Sequence, residues 1–356
     1  MHLKEIRPAA EKKARARALL LLSGGLDSVL AGKLLEEQEV EIVGLTFKSQ
    51  FFGAEEAIRA AEEQDWPLVV VDITEEEIQI VEKPKYGYGK NMNPCIDCHG
   101  QMVKIAGQLL KKYQADFVAT GEVLGERPKS QNRQALEIVE KMSGIKGLVL
   151  RPLSAKLLPV TLVEEKGLVD REKLEDISGK SRKRQIKMAE KYRLKEYPTP
   201  AGGCLLTDPG FSSKLKKLLE WRGRLLERDI SLIKMGRLFF DEEGFLVIGR
   251  NEQENEKLRR IARPDDVLIT NASIQGPLTV VRLNVERSGQ PEEISGEASG
   301  KVKLTVIKAK KVIRKAALLT IRYSRARWAE EAEVLVSWGR SQEKLKFYHN
   351  DWKKYL

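Results

Sequence analysis

The chain has 356 residues, 32% of them charged, and a formal net charge of +11. That length accommodates two domains, and no charge-free apolar run approaches the roughly twenty residues a membrane-spanning helix needs, which predicts a soluble protein with no membrane partner. Met1 to Arg17 is basic without a secretory apolar core, so a cytoplasmic location is expected; three cysteines are too few for a disulfide framework and direct attention to metal or sulfur chemistry.

After a basic lead of residues 1–16, the apolar run Ala18 to Leu22 reads as a strand and Val29 to Leu35 as a helix. Between them stands Ser23-Gly24-Gly25-Leu26-Asp27-Ser28. Adjacent glycines let several backbone N–H groups converge on one anion, the Ser23 and Ser28 hydroxyls add donors, and the helix N-terminus adds partial positive charge. No lysine follows, which sets the motif apart from nucleoside-triphosphate hydrolase loops. The hexapeptide resembles the pyrophosphate loop (PP-loop) of the ATP pyrophosphatase superfamily, whose members split ATP to AMP and pyrophosphate while AMP activates a substrate oxygen.

Further along, Glu41 to Phe47 predicts a strand, Ala54 to Gln64 a helix and Pro67 to Asp72 a third strand. Phe117 to Gly121 predicts another strand, Asn132 to Met142 a helix, and Leu148 to Leu150 a strand running into Arg151-Pro152-Leu153. The pattern implies an α/β fold, a parallel sheet with helices on both faces. Ligands in such sheets lie beyond the carboxyl ends of the strands, which sets Ser23 to Ser28, Thr46-Phe47 and Thr120-Gly121 along one rim.

In Asn93-Pro94-Cys95-Ile96-Asp97-Cys98-His99, Asn93 is the expected helix cap and Pro94 the first helical residue. Cys95 and Cys98 then share one face of the first turn, where the helix dipole favours thiolate. Cys204 follows in Pro200-Ala201-Gly202-Gly203-Cys204. Three thiolates fit several chemistries: a [4Fe-4S] cluster with one iron open to sulfide, a persulfide on Cys204 resolved by Cys95 or Cys98, a zinc site short of its fourth ligand, or inert buried cysteines. His99 is expected on the helix surface and Asp97 as a solvated carboxylate.

The loop, Pro94-Cys95-x-x-Cys98, Thr120 to Gly125 with Ser130-Gln131, Leu150 to Leu153 and a lone later cysteine resemble, in that order, the catalytic domain of tRNA 4-thiouridine synthases and, less closely, the tRNA 2-thiouridylases. The likeness covers residues 17–210 and implies an adenine nucleotide alpha hydrolase-like fold and ATP-dependent tRNA sulfurtransfer. Ser23, Gly24, Gly25, Leu26, Asp27 and Ser28 would then hold the phosphates of ATP and magnesium, with Asp27 catalytic. Thr46 and Phe47 would lie near the adenosine, and Gly121 and Glu122 near ATP or the uridine. Cys95, Cys98 and Cys204 would be catalytic and would bind the cluster. Sulfur would come from outside the chain, from a cysteine desulfurase or sulfide.

Residues 211–356 are expected to form a smaller α+β RNA-binding domain. Lys301 to Leu356 holds 15 Lys/Arg and 5 Asp/Glu, nearly the whole net excess, together with Trp328, Trp338, Trp352, Tyr323, Phe347, Tyr348 and Tyr355. Cations interleaved with flat rings suit RNA; the plainer reading is a basic face over core aromatics. Met235-Gly236-Arg237, Gly244 to Asn255 and Tyr323 to Arg327 resemble the RNA-binding module of ribosome-associated quality-control proteins. The basic stretch Lys180 to Arg193 reads as a helix that lines a tRNA path or is merely solvated. Ser288 to Pro291 and Ser295 to Glu297 read as a surface connection. Competing functions are a 7-cyano-7-deazaguanine synthase-like enzyme, an amidating ligase, and a non-catalytic RNA-binding protein.

Overall fold

A computed structural model describes residues 2–194, 203–284 and 310–353. Pro200 to Gly202, Ser288 to Pro291, Ser295 to Glu297, residues 301–309 and Tyr355 therefore lie outside the described residues. The chain forms two compact units, Met1–Ser212 and Ser213–Leu356, that divide within the helix Pro209–Arg222.

In the first unit, β1 (His2–Arg7), β2 (Ala16–Leu21), β3 (Val40–Lys48), β4 (Leu68–Asp72), β5 (Phe117–Thr120) and β6 (Val149–Leu150) form one sheet in the order β1-β4-β3-β2-β5-β6. All neighbours are parallel except β1, which pairs antiparallel with β4. The basic lead of residues 1–16 supplies β1, an element the sequence reading did not contain. Its charged residues hide the strand signal, yet its ladder with β4 covers what would otherwise be an open sheet edge.

Leu- and Val-rich strands bury both faces, and successive residues serve opposite sides. Leu20, Leu22 and Leu68 pack toward α1 (Leu26–Glu36) and α2 (Glu55–Glu63), whereas Leu19, Val43, Leu45 and Val71 pack toward α4 (Cys95–Leu109) and α5 (Arg133–Ser143). The remaining helices are α3 (Thr74–Glu82), α6 (Leu162–Glu165) and α7 (Lys183–Lys191). Strand order reverses between β2 and β5, since the chain runs outward through β3 to β4 and then returns to β2's other side. That switch point opens a crevice at the carboxyl end of β2, where the glycine loop begins.

The second unit is built on an antiparallel sheet, ordered β12-β11-β9-β10-β8-β7. Its strands are β7 (Arg237–Phe240), β8 (Gly244–Ile248), β9 (Val267–Asn271), β10 (Thr279–Leu283), β11 (Glu331–Trp338) and β12 (Ser341–Tyr348). The helix Lys310–Arg322 lays Val312, Ala316 and Leu319 on Ile248, Ile269, Val281 and Val334. Among the described residues no helix is long and apolar enough to cross a membrane.

Candidate active site

Close packing of backbone on backbone shapes the loop. Gly24 has φ +79°, and a Cβ there would stand 2.3 Å from the Glu56 carbonyl carbon and 2.6 Å from the Ala57 nitrogen. Ser28 ties the turn shut: its hydroxyl donates to the Gly25 carbonyl at 2.8 Å and accepts from the Ser23 N–H at 3.3 Å. The Ser23 hydroxyl accepts from the Gly25 N–H at 3.2 Å. Gly25 caps α1 with no side-chain partner and its carbonyl takes the Ser28 N–H at 3.1 Å, so the Leu26 and Asp27 N–H groups of the first turn remain available to an anion. Leu26 offers only backbone, because its side chain is in the core.

Asp27 sits on that first turn. Its Oδ2 is 3.5 Å from Arg182 Nη2, and its Oδ1 is buried with no hydrogen-bond partner among the described residues. Burial raises the Asp27 carboxyl, and the charges of Arg182 and Arg127 oppose that shift. Gln185 is fully buried and faces Asp27, yet neither of its amide heteroatoms nor Arg182 Nε meets hydrogen-bond geometry. Buried polar groups normally have partners, so this cluster beside an anion-binding turn fits a polar ligand. The orphaned carboxylate oxygen fits magnesium carried with ATP phosphates. The basic stretch thus reaches the loop through Arg182, a role its reading as a tRNA path or solvated face did not contain. The spacing of Gln185 and buried Ala189, four residues apart on one helix face, was the signal available.

Thr46 and Phe47 both lie buried near the end of β3, and Phe47 packs in the core with Val71, Ile73 and Ile96. Gly121 allows β5 to meet α1: a Cβ there would be 2.5 Å from the Ser28 nitrogen. Glu122 is buried, with Oε1 2.9 Å from His99 Nδ1 and Oε2 accepting from Arg151 Nε at 3.0 Å. Burial alone would raise Glu122, but the Arg151 guanidinium and His99 reverse the shift and hold it at about 2. Glu122 therefore stays ionised and fastens α4 to the end of β5. His99, expected on the helix surface, is half-buried in this pair.

Helix α4 begins at Cys95 with Pro94 as its cap, one residue later than predicted: the Asn93 side-chain oxygen accepts from the Asn91 N–H at 3.1 Å instead of from the helix, and its amide donates to Cys95 Sγ at 3.1 Å. Cys204 is brought back by two bonds: Leu205 N–H donates to the Phe51 carbonyl at 2.8 Å and the Asn91 amide donates to the Thr207 carbonyl at 2.7 Å. Cys95 and Cys204 both bear on the ionisation of Cys98, and Cys95 bears on that of Cys204. The helix dipole was expected to favour thiolate; burial outweighs it, pushing Cys98 well up and Cys204 to about 12. Among the described residues no three Cys, His, Asp or Glu side chains stand close enough to hold a metal ion. As arranged, the sulfurs do not fit a closed cluster cage.

Two further carboxylates surround the thiols. Asp97, expected in solvent, is buried and accepts from the Lys85 and Tyr86 N–H groups, each at 3.0 Å. Glu77 on α3 is 1% exposed, neither oxygen has a hydrogen-bond partner among the described residues, and it faces Cys98. Burial raises it from 4.5 to about 7. Between those values the unfolded chain releases a proton that the folded chain keeps, so stability is full below about pH 4.5 and falls as pH rises toward 7. The loss totals roughly 3 kcal/mol. Urea unfolding of Glu77→Gln across this range should show that slope removed; an unchanged slope would contradict the buried acid.

A surface concavity of about 810 Å³ lined by Lys13, Arg15, Glu37 and Lys173 lies at the opposite, amino ends of β2 and β3. It contains no loop or cysteine residue and is assigned no part in the chemistry.

The thiamine biosynthesis protein (ThiI) family matches residues 13–156. The tRNA-specific 2-thiouridylase MnmA of Bartonella quintana (strain Toulouse) is 29% identical over 137 residues, covering 33% of this chain and 33% of that protein. MnmA of Geotalea uraniireducens (strain Rf4) is 32% identical over 146 residues, covering 34% of this chain and 38% of that protein. The chain thus spans about a third of the length of these curated relatives. Among solved structures, a 4-thiouridine synthetase–RNA complex with bound ATP is similar at 21% identity and a TM-score of 0.34, over 62% of this chain and 52% of that one. The family match contains the loop, Cys95, Cys98 and Glu122.

Proposed function

We propose that the protein is an ATP-dependent tRNA sulfurtransferase that replaces a uridine carbonyl oxygen with sulfur, 4-thiouridine being the favoured product and 2-thiouridine the next. The observation that supports this reading is the junction at the end of β5, where Gly121 lies against the Ser28 nitrogen of the glycine loop and Glu122 holds His99 of the helix that carries Cys95 and Cys98.

In the first step the uridine oxygen attacks the α-phosphorus of ATP and pyrophosphate leaves. The N–H groups of the α1 first turn stabilise the developing negative charge and Arg182 neutralises the departing phosphates, while Asp27 would hold the magnesium that arrives with ATP and supplies further positive charge there. Adenylation turns a poor leaving group into a good one. In the second step sulfur attacks the activated carbon, the C–O bond breaks, and AMP departs with the former carbonyl oxygen.

Hydrosulfide supplied from a donor meets that balance directly. A persulfide on Cys204 would attack through its outer sulfur; a second cysteine then forms a disulfide with Cys204, releasing the product and requiring a thiol reductant afterwards. Iron analysis of the purified protein tests the cysteine arrangement independently, an iron-free protein being expected. Burial of Cys98 and Cys204 keeps them as protonated thiols until sulfur or metal arrives.

The test is nucleoside mass spectrometry of unmodified tRNA incubated with the full chain, magnesium-ATP and sulfide. Thiouridine should form only when ATP is present; nucleosides unchanged under every sulfur source would contradict the proposal.

A further inference from the structure

The structure sorts the C-terminal aromatic residues into two groups. Trp352 and Phe347 are buried, and Trp338 and Tyr323 pack against the same core, so these four are accounted for by folding. Trp328 is 75% exposed and Tyr348 is 59% exposed. A single exposed apolar side chain needs no explanation. What sets Trp328 apart is the rigid, cationic turn that displays it.

That turn, Arg325–Trp328, is held from beneath. Ser324 Oγ accepts from the Ala326 N–H at 3.0 Å and donates to the Ile321 carbonyl at 2.8 Å. Ala326 is buried, and Trp352 Nε1 donates to the Arg327 carbonyl at 3.2 Å. The Arg327 guanidinium lies 4.6 Å from the centroid of the Trp328 ring, so one face of the indole is already backed by a cation. Arg325 and Arg327 are exposed and have no carboxylate partner among the described residues. Of the nearby carboxylates, Glu330 and Glu331, the second is tied to Lys346 at 2.7 Å. Tyr348 stands across the ladder from Glu331, and the His349 N–H donates to the Glu330 carbonyl at 2.8 Å, which brings the end of β12 beside the turn.

We infer that the Arg325–Trp328 turn is a stacking anchor for an unpaired base of an RNA, with Arg325 and Arg327 meeting the flanking phosphates. A flat ring with one open face takes any base, two guanidiniums without carboxylate partners favour a polyanion over a protein surface or a neutral ligand, and a turn fixed in advance loses little entropy on binding. The surface belongs to the second unit alone and does not depend on which chemistry the first unit performs.

Fluorescence anisotropy of a labelled single-stranded oligouridine and of an RNA duplex of equal length, titrated with the full chain, tests this. Trp328→Ala should weaken single-strand binding roughly tenfold or more and leave the salt slope of binding in place, while Trp328→Phe retains most of the affinity. Arg325→Ala with Arg327→Ala should instead lower the salt slope. Because the ring is exposed, circular dichroism should show each variant folded. Equal binding by Trp328→Ala and the parent would overturn the inference and leave the ring to a protein partner; so would a parent that binds duplex as well as single strand with no dependence on Trp328.

Discussion

Gly24→Ala is expected to abolish ATP binding, whereas Gly144→Ala leaves it intact. Both glycines have positive φ, +79° and +75°. An added Cβ at Gly144 meets nothing within 4 Å, while at Gly24 it would penetrate the backbone of the first turn of α2. Both variants carry the left-handed penalty of roughly 1–2 kcal/mol. Only Gly24→Ala adds an overlap of about 1–3 kcal/mol that backbone movement must relieve, and the backbone that moves is the phosphate loop. The pair separates conformational strain from loss of the site. Thermal unfolding should show Gly24→Ala as the less stable, and equilibrium binding of magnesium-ATP should be undetectable for it alone. Normal ATP affinity in Gly24→Ala would contradict the packing argument.

Cys98→Ala should stop sulfur insertion without stopping adenylation. Cys98 faces the α3 carboxylate Glu77 and the other two sulfurs, whereas no bond links it to the loop. Loss of one small buried side chain costs stability on the order of 1 kcal/mol, so the variant remains folded. With tRNA and ATP it should still release pyrophosphate, while thiouridine falls below about a thousandth of the parent level if Cys98 takes part in the covalent sulfur step. Thiolation by an iron-free parent with a persulfide donor but not with sulfide would identify the persulfide route, and equal thiolation with both the direct sulfide route. Full thiolation by Cys98→Ala would remove Cys98 from the mechanism.

The sheet was legible because β2, β3 and β4 are continuous apolar runs, and a run of that kind bounded by glycine or proline has few other readings. β1 was not, because His2-Leu3-Lys4-Glu5-Ile6-Arg7 alternates weakly and its pairing with β4 is non-local. The loop declared itself through Gly24-Gly25 and the flanking serines. Its partners across the crevice did not: Arg182 comes from 155 residues away to reach Asp27. Glu77 sits in an acidic helix start, Thr74-Glu75-Glu76-Glu77, that reads as solvated. Its separation by four residues from the buried Val81 was the sign that it points inward. Cys98 shows the limit of local rules: its first-turn position argues for thiolate, and burial decides for thiol.

The measurement that addresses the central claim most directly follows the oxygen. With tRNA carrying ¹⁸O at the target uridine carbonyl, ATP hydrolysed during thiolation should yield AMP that contains the label and pyrophosphate that does not. Unlabelled AMP, or ADP as the product, would mean that the Ser23 to Ser28 loop spends ATP on something other than activating that oxygen.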